Sequence, residues 1–352
     1  MQAHVKRHCS EDAALVGFLP SPRPSSTNAG VTRSCGHDLS SLTEAVVLFG
    51  AGGFVGRNLV DAFAKRVPLI YGVTAGGGAV PGTTQSFVFA RRGDIPALPS
   101  EAVVVNAAAR RYDCSRFARE QSAILAHDSE IATRIYEFCV ERRVREVRLA
   151  SSVAVYPADW DLLDDEVPFD LAAPPHAAEA GYAWSKRWAE IVADLHHRLY
   201  GINTLTFRLT NPYGPYDSRD PAAAHVAPAF AIKALDAGPL FEIAGNPEAE
   251  RDFVYAGDVA RVFAASLDRR GAHASCNLAR GKTHSIRRLA EAAIAASGVA
   301  KTITVSGGAD PGVAVRRASA EKLRRLFDLP PFRSLDQGMR ATVAWYRDAL
   351  SH

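Results

Sequence analysis

The 352-residue chain is poor in the features that mark several functional classes. Its five cysteines, Cys9, Cys35, Cys114, Cys139 and Cys276, are odd in number, widely scattered and never spaced CxxC. Such usage predicts a reducing compartment and no structural metal site. No apolar stretch approaches the roughly 20 residues that a membrane helix needs. The N-terminus also lacks the basic, apolar and small-residue order of a signal peptide. Lys plus Arg number 41 against 38 Asp plus Glu. That near balance, without a basic run interleaved with aromatics, leaves no electrostatic footprint for nucleic acid. These absences predict a cytoplasmic protein that binds neither nucleic acid nor membrane. There is no internal repeat. The remainder is ordinary globular composition, 47% apolar and 22% charged, which excludes wholesale disorder.

Residues 1–43 stand apart from the rest. They are rich in Pro and Ser between Pro20 and Gly30 and carry no sustained periodicity, so a poorly ordered extension is expected there. From Ala45 onward, short apolar runs at residues 45–50, 68–73, 86–90, 102–109, 144–152 and 203–209 alternate with longer stretches. Residues 129–142 and 182–200 have helical spacing, the second ended by Gly201. Strands alternating with helices predict an α/β fold, a doubly wound parallel sheet covered on both faces. Residues 44–210 are expected to form a dinucleotide-binding, Rossmann-type domain. Residues 211–352 are expected to form mainly a smaller α/β substrate lobe, with some segments returning to the first domain. Within that lobe a helix should be capped near Ser285 and stopped near Gly298.

Three clusters carry chemistry. The first strand candidate runs into Gly50-Ala51-Gly52-Gly53-Phe54-Val55-Gly56, and an amphipathic helix pattern follows. A tight strand-to-helix turn of this kind lets backbone approach a pyrophosphate at a helix N-terminus. The second strand ends Val73-Thr74-Ala75-Gly76, without the acid that binds ribose hydroxyls in NAD sites. Arg57, Arg91 and Arg92 are nearby in sequence, and Asp94 is a candidate partner for the adenine amino group. Tyr182 and Lys186 form a YxxxK, which puts both side chains on one helix face. An ammonium beside a phenol stabilises the phenolate, which suits general acid–base work. Ser151 and Ser152 close a strand candidate, and ligands of open α/β sheets sit outside the carboxyl ends of strands.

The glycine loop, the Ser-x-x-x-Tyr run and the YxxxK, in this order, resemble the extended short-chain dehydrogenase/reductase family, the NAD-dependent epimerase/dehydratase group. Arg208-Leu209-Thr210-Asn211-Pro212-Tyr213-Gly214-Pro215 and Arg251-Asp252-Phe253-Val254-Tyr255 with Asp258 are similar to two of its later motifs. The resemblance implies catalytic roles for Ser152, Tyr182 and Lys186. It implies NAD or NADP contacts at Gly50, Gly53, Phe54, Val55, Gly56, Asp94, Ala107, Ala108, Tyr182 and Lys186. It also implies substrate contacts at Ser152, Asn211, His225 and Arg251, with a nucleotide-diphosphate sugar as substrate. A diphosphate suits a forked guanidinium; pairing of Arg251 with Asp252 or Glu250 at the surface is the alternative. Relatives dimerise through two helices per subunit, so a homodimer through residues 129–142 and 182–200 is expected.

The departures narrow the reaction. Sugar dehydratases of the family carry an Asp-Glu pair after the catalytic Ser or Thr, and this chain has Val153-Ala154. The stretch from Asn211 to Phe230 resembles GDP-fucose synthases, His225 included, yet their catalytic Cys is replaced by Ala154. Asp310 to Val313 stands where many relatives have a diphosphate-binding Arg, for which Arg316 or Arg317 is a candidate substitute. Hydride chemistry at one carbinol carbon remains. The first expectation is a nucleotide-sugar 4-epimerase, and the second is an NADPH-dependent nucleotide-4-keto-sugar reductase. A non-sugar carbonyl reductase and an inactive NAD(P)-binding protein are the further alternatives.

Overall fold

The computed structural model describes residues 43–110, 116–221, 223–307 and 315–351. Except for Thr43, the expected N-terminal extension lies outside them, as do Cys9, Cys35, Cys114 and the Asp310 to Val313 stretch. Strand β1, Ala45–Phe49, is buried along its whole length. Val46 and Leu48 join one core cluster, while Ala45, Val47 and Phe49 join another. The two-residue period of a strand thus feeds two layers from one apolar run.

Strands β2 (Leu69–Thr74), β3 (Gln85–Val88), β4 (Val103–Asn106) and β5 (Glu146–Ser152) continue the sheet with Asn203–Leu209 and Ala274–Leu278. All seven are parallel, in the order Ala274–Leu278, Asn203–Leu209, β5, β4, β1, β2, β3. Helix α1, Phe54–Phe63, packs with Ala256–Ser266 on one face. Helices α2, Phe117–Glu141, and α3, Ala180–Tyr200, cover the other. This is a Rossmann-type doubly wound fold.

Two elements are shorter or longer than the sequence pattern predicts. The run at 102–109 leaves the sheet after Asn106, whose Oδ1 accepts from the Ala108 N–H at 3.2 Å and turns the chain. Helix α2 begins at Phe117, well before residue 129.

Beyond Leu209, strands Asn211–Tyr213, Glu250–Tyr255, Thr283–Ser285 and Val315–Ala318 join Leu162–Leu163 in a mixed second sheet. Helices Val226–Leu235, Ile286–Ser297 and Leu335–Leu350 surround a third core built on Phe253, Leu289, Met339 and Tyr346. Ile286–Ser297 is capped as its sequence signals: Ser285 Oγ accepts from the Arg288 N–H, and Gly298 takes a φ of +73°. No described helix is long and apolar enough to cross a membrane. No described group of three or more His, Cys, Asp or Glu could hold a metal ion. Cys139 and Cys276 are buried free thiols.

Candidate active site

Because the main sheet is parallel, the ends of β1, β4, β5 and Asn203–Leu209 lie along one edge. β1 and β4 are neighbours whose following helices lie on opposite faces, which makes a crevice for a ligand between them. The glycine loop fills that position. Gly50 has a φ of +84°, its N–H donates to Val73 O at 2.9 Å, and an added Cβ would stand 2.6 Å from Ala107 O. At Gly56 a Cβ would stand 2.0 Å from Gly50 O. Neither place admits a side chain, so strand, loop and helix meet through backbone. Gly53 caps α1 without a side-chain bond, and the first turn holds no acid. Its leading N–H groups are therefore aimed outward with no side-chain acceptor, as anion binding requires. Phe54, Val55, Ala107 and Ala108 border the loop half-buried. Asp94 ends the short turn after β3, exposed. At the end of β2, Thr74 Oγ1 accepts from the Gly77 N–H. Arg57 is spent over the Tyr216 ring and Arg92 over Phe89.

On α3 the i,i+4 spacing delivers its pair. Lys186 Nζ lies 5.5 Å from the centroid of the half-buried Tyr182 ring and donates to Ala150 O at 3.4 Å. Gly181 lets α2 approach, since its Cβ would stand 2.2 Å from Gln121 O. Gln121 Oε1 then accepts the Tyr182 N–H at 3.1 Å, and Phe117 meets the Tyr182 ring edge-on at 6.2 Å. Gln121 and Phe117 thus set where the phenol stands, a role the sequence pattern did not reveal. Ser152 ends β5, buried, and its Oγ accepts from the Ala154 N–H at 3.2 Å. Val153 and Ala154 are each 4% exposed, so the place of the dehydratase acids is a dry apolar turn.

The second sheet supplies the remaining candidates. Asn211 Nδ2 donates to Asp252 O at 3.0 Å. Asp252 is buried and points away from Arg251. Its oxygens accept from Thr210 Oγ1 and from the Arg280 and Gly281 N–H groups. Burial raises its pKa, and these donors pull the other way. Arg251 therefore forms no pair with Asp252; its Nη1 donates to the Glu250 carbonyl. Arg316 stands directly opposite Arg251 on the neighbouring parallel strand. His225 is exposed, and its Nδ1 lies 2.9 Å from Asp217 Oδ2. The hydrogen bond to that carboxylate holds the imidazole above its usual pKa.

Residues 46–279 match the NAD dependent epimerase/dehydratase family. The chain belongs to that family. It is 30% identical over 250 residues to a dTDP-4-dehydro-6-deoxy-D-allose reductase of Streptomyces bikiniensis, covering 71% of this chain and 75% of that one. It is 26% identical over 227 residues to a GDP-L-fucose synthase of Dictyostelium discoideum, covering 62% and 70%. Its fold is shared with a UDP-glucose 4-epimerase of Thermotoga maritima solved with UDP-glucose. That likeness has a TM-score of 0.74 at 20% identity and covers 87% and 99% of the two chains. As an epimerase/dehydratase family member of the extended short-chain dehydrogenase/reductase type, the protein is an enzyme, and NAD(P) is its cofactor. The side-chain-free meeting of Gly50, Gly56 and Ala107, with no side-chain cap on α1, fits the pyrophosphate of that group.

Behind the family's catalytic positions lies a buried polar network that local motifs did not show. Ser151 Oγ donates to Glu190 Oε1 at 2.6 Å, and Arg208 Nη2 donates to Glu190 Oε2 at 2.7 Å. Arg208 Nη1 donates to the Tyr156 hydroxyl, which donates to Asn277 Oδ1 at 2.8 Å. Asn277 Nδ2 in turn donates to the Leu163 and Ser319 carbonyls.

Proposed function

We propose that the protein transfers hydride at one carbinol carbon of a nucleotide-diphosphate sugar, working as an NADPH-dependent keto-sugar reductase. The observation that carries this reading is the Tyr182–Lys186 pair, tied by Lys186 to Ala150 O two residues before Ser152, with buried Val153 and Ala154 where dehydration would need acids. The Tyr182 hydroxyl gives a proton to the sugar carbonyl oxygen, Lys186 steadies the resulting phenolate, and the Ser152 hydroxyl orients that oxygen. NAD(P), when bound, supplies or accepts the hydride. Asn211, Arg251 and Arg316 hold the diphosphate, and His225 borders the substrate. The reductase direction is supported by the 30% identity to a dTDP-keto-sugar reductase. It is also supported by Thr74, which leaves the end of β2 without a carboxylate to repel a 2′-phosphate. The 4-epimerase expected first from the motifs is the second reading, supported by the family match, because the same side chains serve it.

Release and identification of the cofactor from purified protein separates the two. The reductase should lose its cofactor on purification and oxidise NADPH with nucleotide 4-keto-sugars. Tightly held NAD and interconversion of sugar epimers without net redox would overturn that choice in favour of the epimerase.

A homodimer is proposed as well. Trp184, Trp188, Leu195 and Leu199 on α3 share one face by their spacing and are 38–69% exposed, and Leu125 of α2, the helix packed against α3, is exposed as well. A contiguous apolar stripe of this kind marks an interaction surface, and a second copy of α2 and α3 would cover it. Leu195→Glu should convert the sedimenting species from dimer to monomer. A wild-type protein that sediments as a monomer at micromolar concentration would remove the dimer.

A further inference from the structure

Arg251 and Arg316 are paired residues on adjacent strands, Glu250–Tyr255 and Val315–Ala318. Directly opposed residues share a face of the sheet one strand spacing apart, about 4.8 Å, where like charges repel. The repulsion registers at Arg251, whose pKa is lowered first by burial and then by Arg316. On its other flank Arg251 faces His284. Burial and the surrounding Arg280, Lys282 and Arg288 lower the His284 pKa, and an imidazole offers the pair no negative charge in either protonation state.

The carboxylate that meets the pair comes from the other lobe. Glu179 Oε1 lies 2.5 Å from Arg316 Nη1, and its charge also acts on Arg251. Glu179 closes the short Ala177–Glu179 turn, directly before α3 and Tyr182. Its Oε1 is buried yet receives no hydrogen bond, so the contact is held by charge and lies off a hydrogen-bond axis. Two guanidinium groups against one carboxylate leave an uncompensated positive charge. A diphosphate bridging a nucleoside and a sugar brings two negative charges and can engage both guanidinium forks.

We propose that Glu179 is an affinity-determining residue of the substrate site, an internal counter-ion that occupies Arg316 and Arg251 until a substrate diphosphate displaces it. The proposal rests on the nucleotide-diphosphate reading of the site. Displacement exchanges a poorly hydrogen-bonded carboxylate for bidentate phosphate contacts. It also frees the turn that leads into the Tyr182 helix, so occupation of the arginine pair is reported at the catalytic end of α3. The carboxylate competes with every diphosphate that enters, so its neutral isostere should bind diphosphates more tightly.

The test is calorimetric titration of the NADP-saturated full chain with UDP, dTDP and GDP. The wild type, Glu179→Gln, Glu179→Ala and Arg251→Leu are compared, each with its folding checked by circular dichroism. Both Glu179 variants are expected to bind the preferred nucleotide about five-fold tighter, within the range of a partly exposed ion pair, with NADP affinity unchanged. Arg251→Leu should bind it at least about ten-fold more weakly. If Arg251→Leu weakens binding while both Glu179 variants bind as the wild type or more weakly, the counter-ion role is overturned and the diphosphate site stands. If none of the three nucleotides binds the wild type, or Arg251→Leu has no effect, the diphosphate reading itself falls.

Discussion

Tyr182→Phe should lower kcat by about 10²- to 10⁴-fold, the usual contribution of a positioned general acid, and leave KM and NAD(P)H affinity close to wild type. The hydroxyl acts on the proton transferred in the transition state, so its loss falls on kcat and kcat/KM together. The variant should fold, because the contacts that place the residue do not use the hydroxyl. The Tyr182 N–H still reaches Gln121 Oε1, the ring still meets Phe117 edge-on, and Lys186 still lies over the ring. Single-turnover hydride transfer followed by nicotinamide absorbance, alongside a cofactor titration, reads both arms. A variant with wild-type turnover would remove Tyr182 from the chemistry. A variant that lost cofactor binding equally would recast it as a residue of the nucleotide site.

The parts of this molecule legible in its sequence are those fixed by neighbours along the chain. Gly50 and Gly56 announce a turn because sterics there act between near neighbours, and a four-residue helical spacing is enough to join Tyr182 and Lys186. Ser285 and Gly298 bound their helix by local capping. The sequence left a pairing of Arg251 with Asp252 open, and the structure closes it, because as consecutive residues of one strand they face opposite ways. The start of α2 was not legible. Its first turns from Phe117 bury little beyond Ile124, and what holds them is contact with α3 through Gly181 and Gln121. Arg316 was a candidate only beside Arg317, and its place opposite Arg251, like the role of Glu179, was beyond local reading for the same reason. The two residues meet Arg251 through the register of strands distant in sequence and through a turn from the other lobe, and no short-range pattern encodes such a register. Ala154 was legible by type, and the structure adds that its surroundings are dry.

Glu190→Gln should cost about 3 kcal/mol of stability, the scale at which a buried ion pair is broken by removing one partner. The side chains of Arg208 and Glu190 are only 8% and 14% exposed. Burial works against the Arg208 charge, and Glu190 and then Tyr156 outweigh it, so the net effect is a raised pKa. An amide at position 190 keeps the shape and a hydrogen bond but withdraws the charge, leaving a guanidinium in the sheet without its counter-ion. The damage should not stay local. Glu190 also accepts from Ser151, the neighbour of Ser152 at the end of β5, and lies one helical turn beyond Lys186. The ion pair therefore ties the end of β5 to α3. Arg208 passes that tie through Tyr156 and Asn277 to the Leu163 and Ser319 carbonyls of the second lobe. Urea unfolding should show a lower midpoint for Glu190→Gln, and kcat should fall even where the variant is fully folded. The double variant Glu190→Leu/Arg208→Met separates charge from packing. It should recover most of the stability, since apolar replacement of a buried pair is often neutral, while kcat stays low because Ser151 has lost its acceptor and Tyr156 its Arg208 donor. A single-variant loss below about 1 kcal/mol, the range of exposed pairs, would show that water reaches Arg208 and that the network is not the tie between strand and helix. A double variant with restored turnover would show that packing alone aligns them.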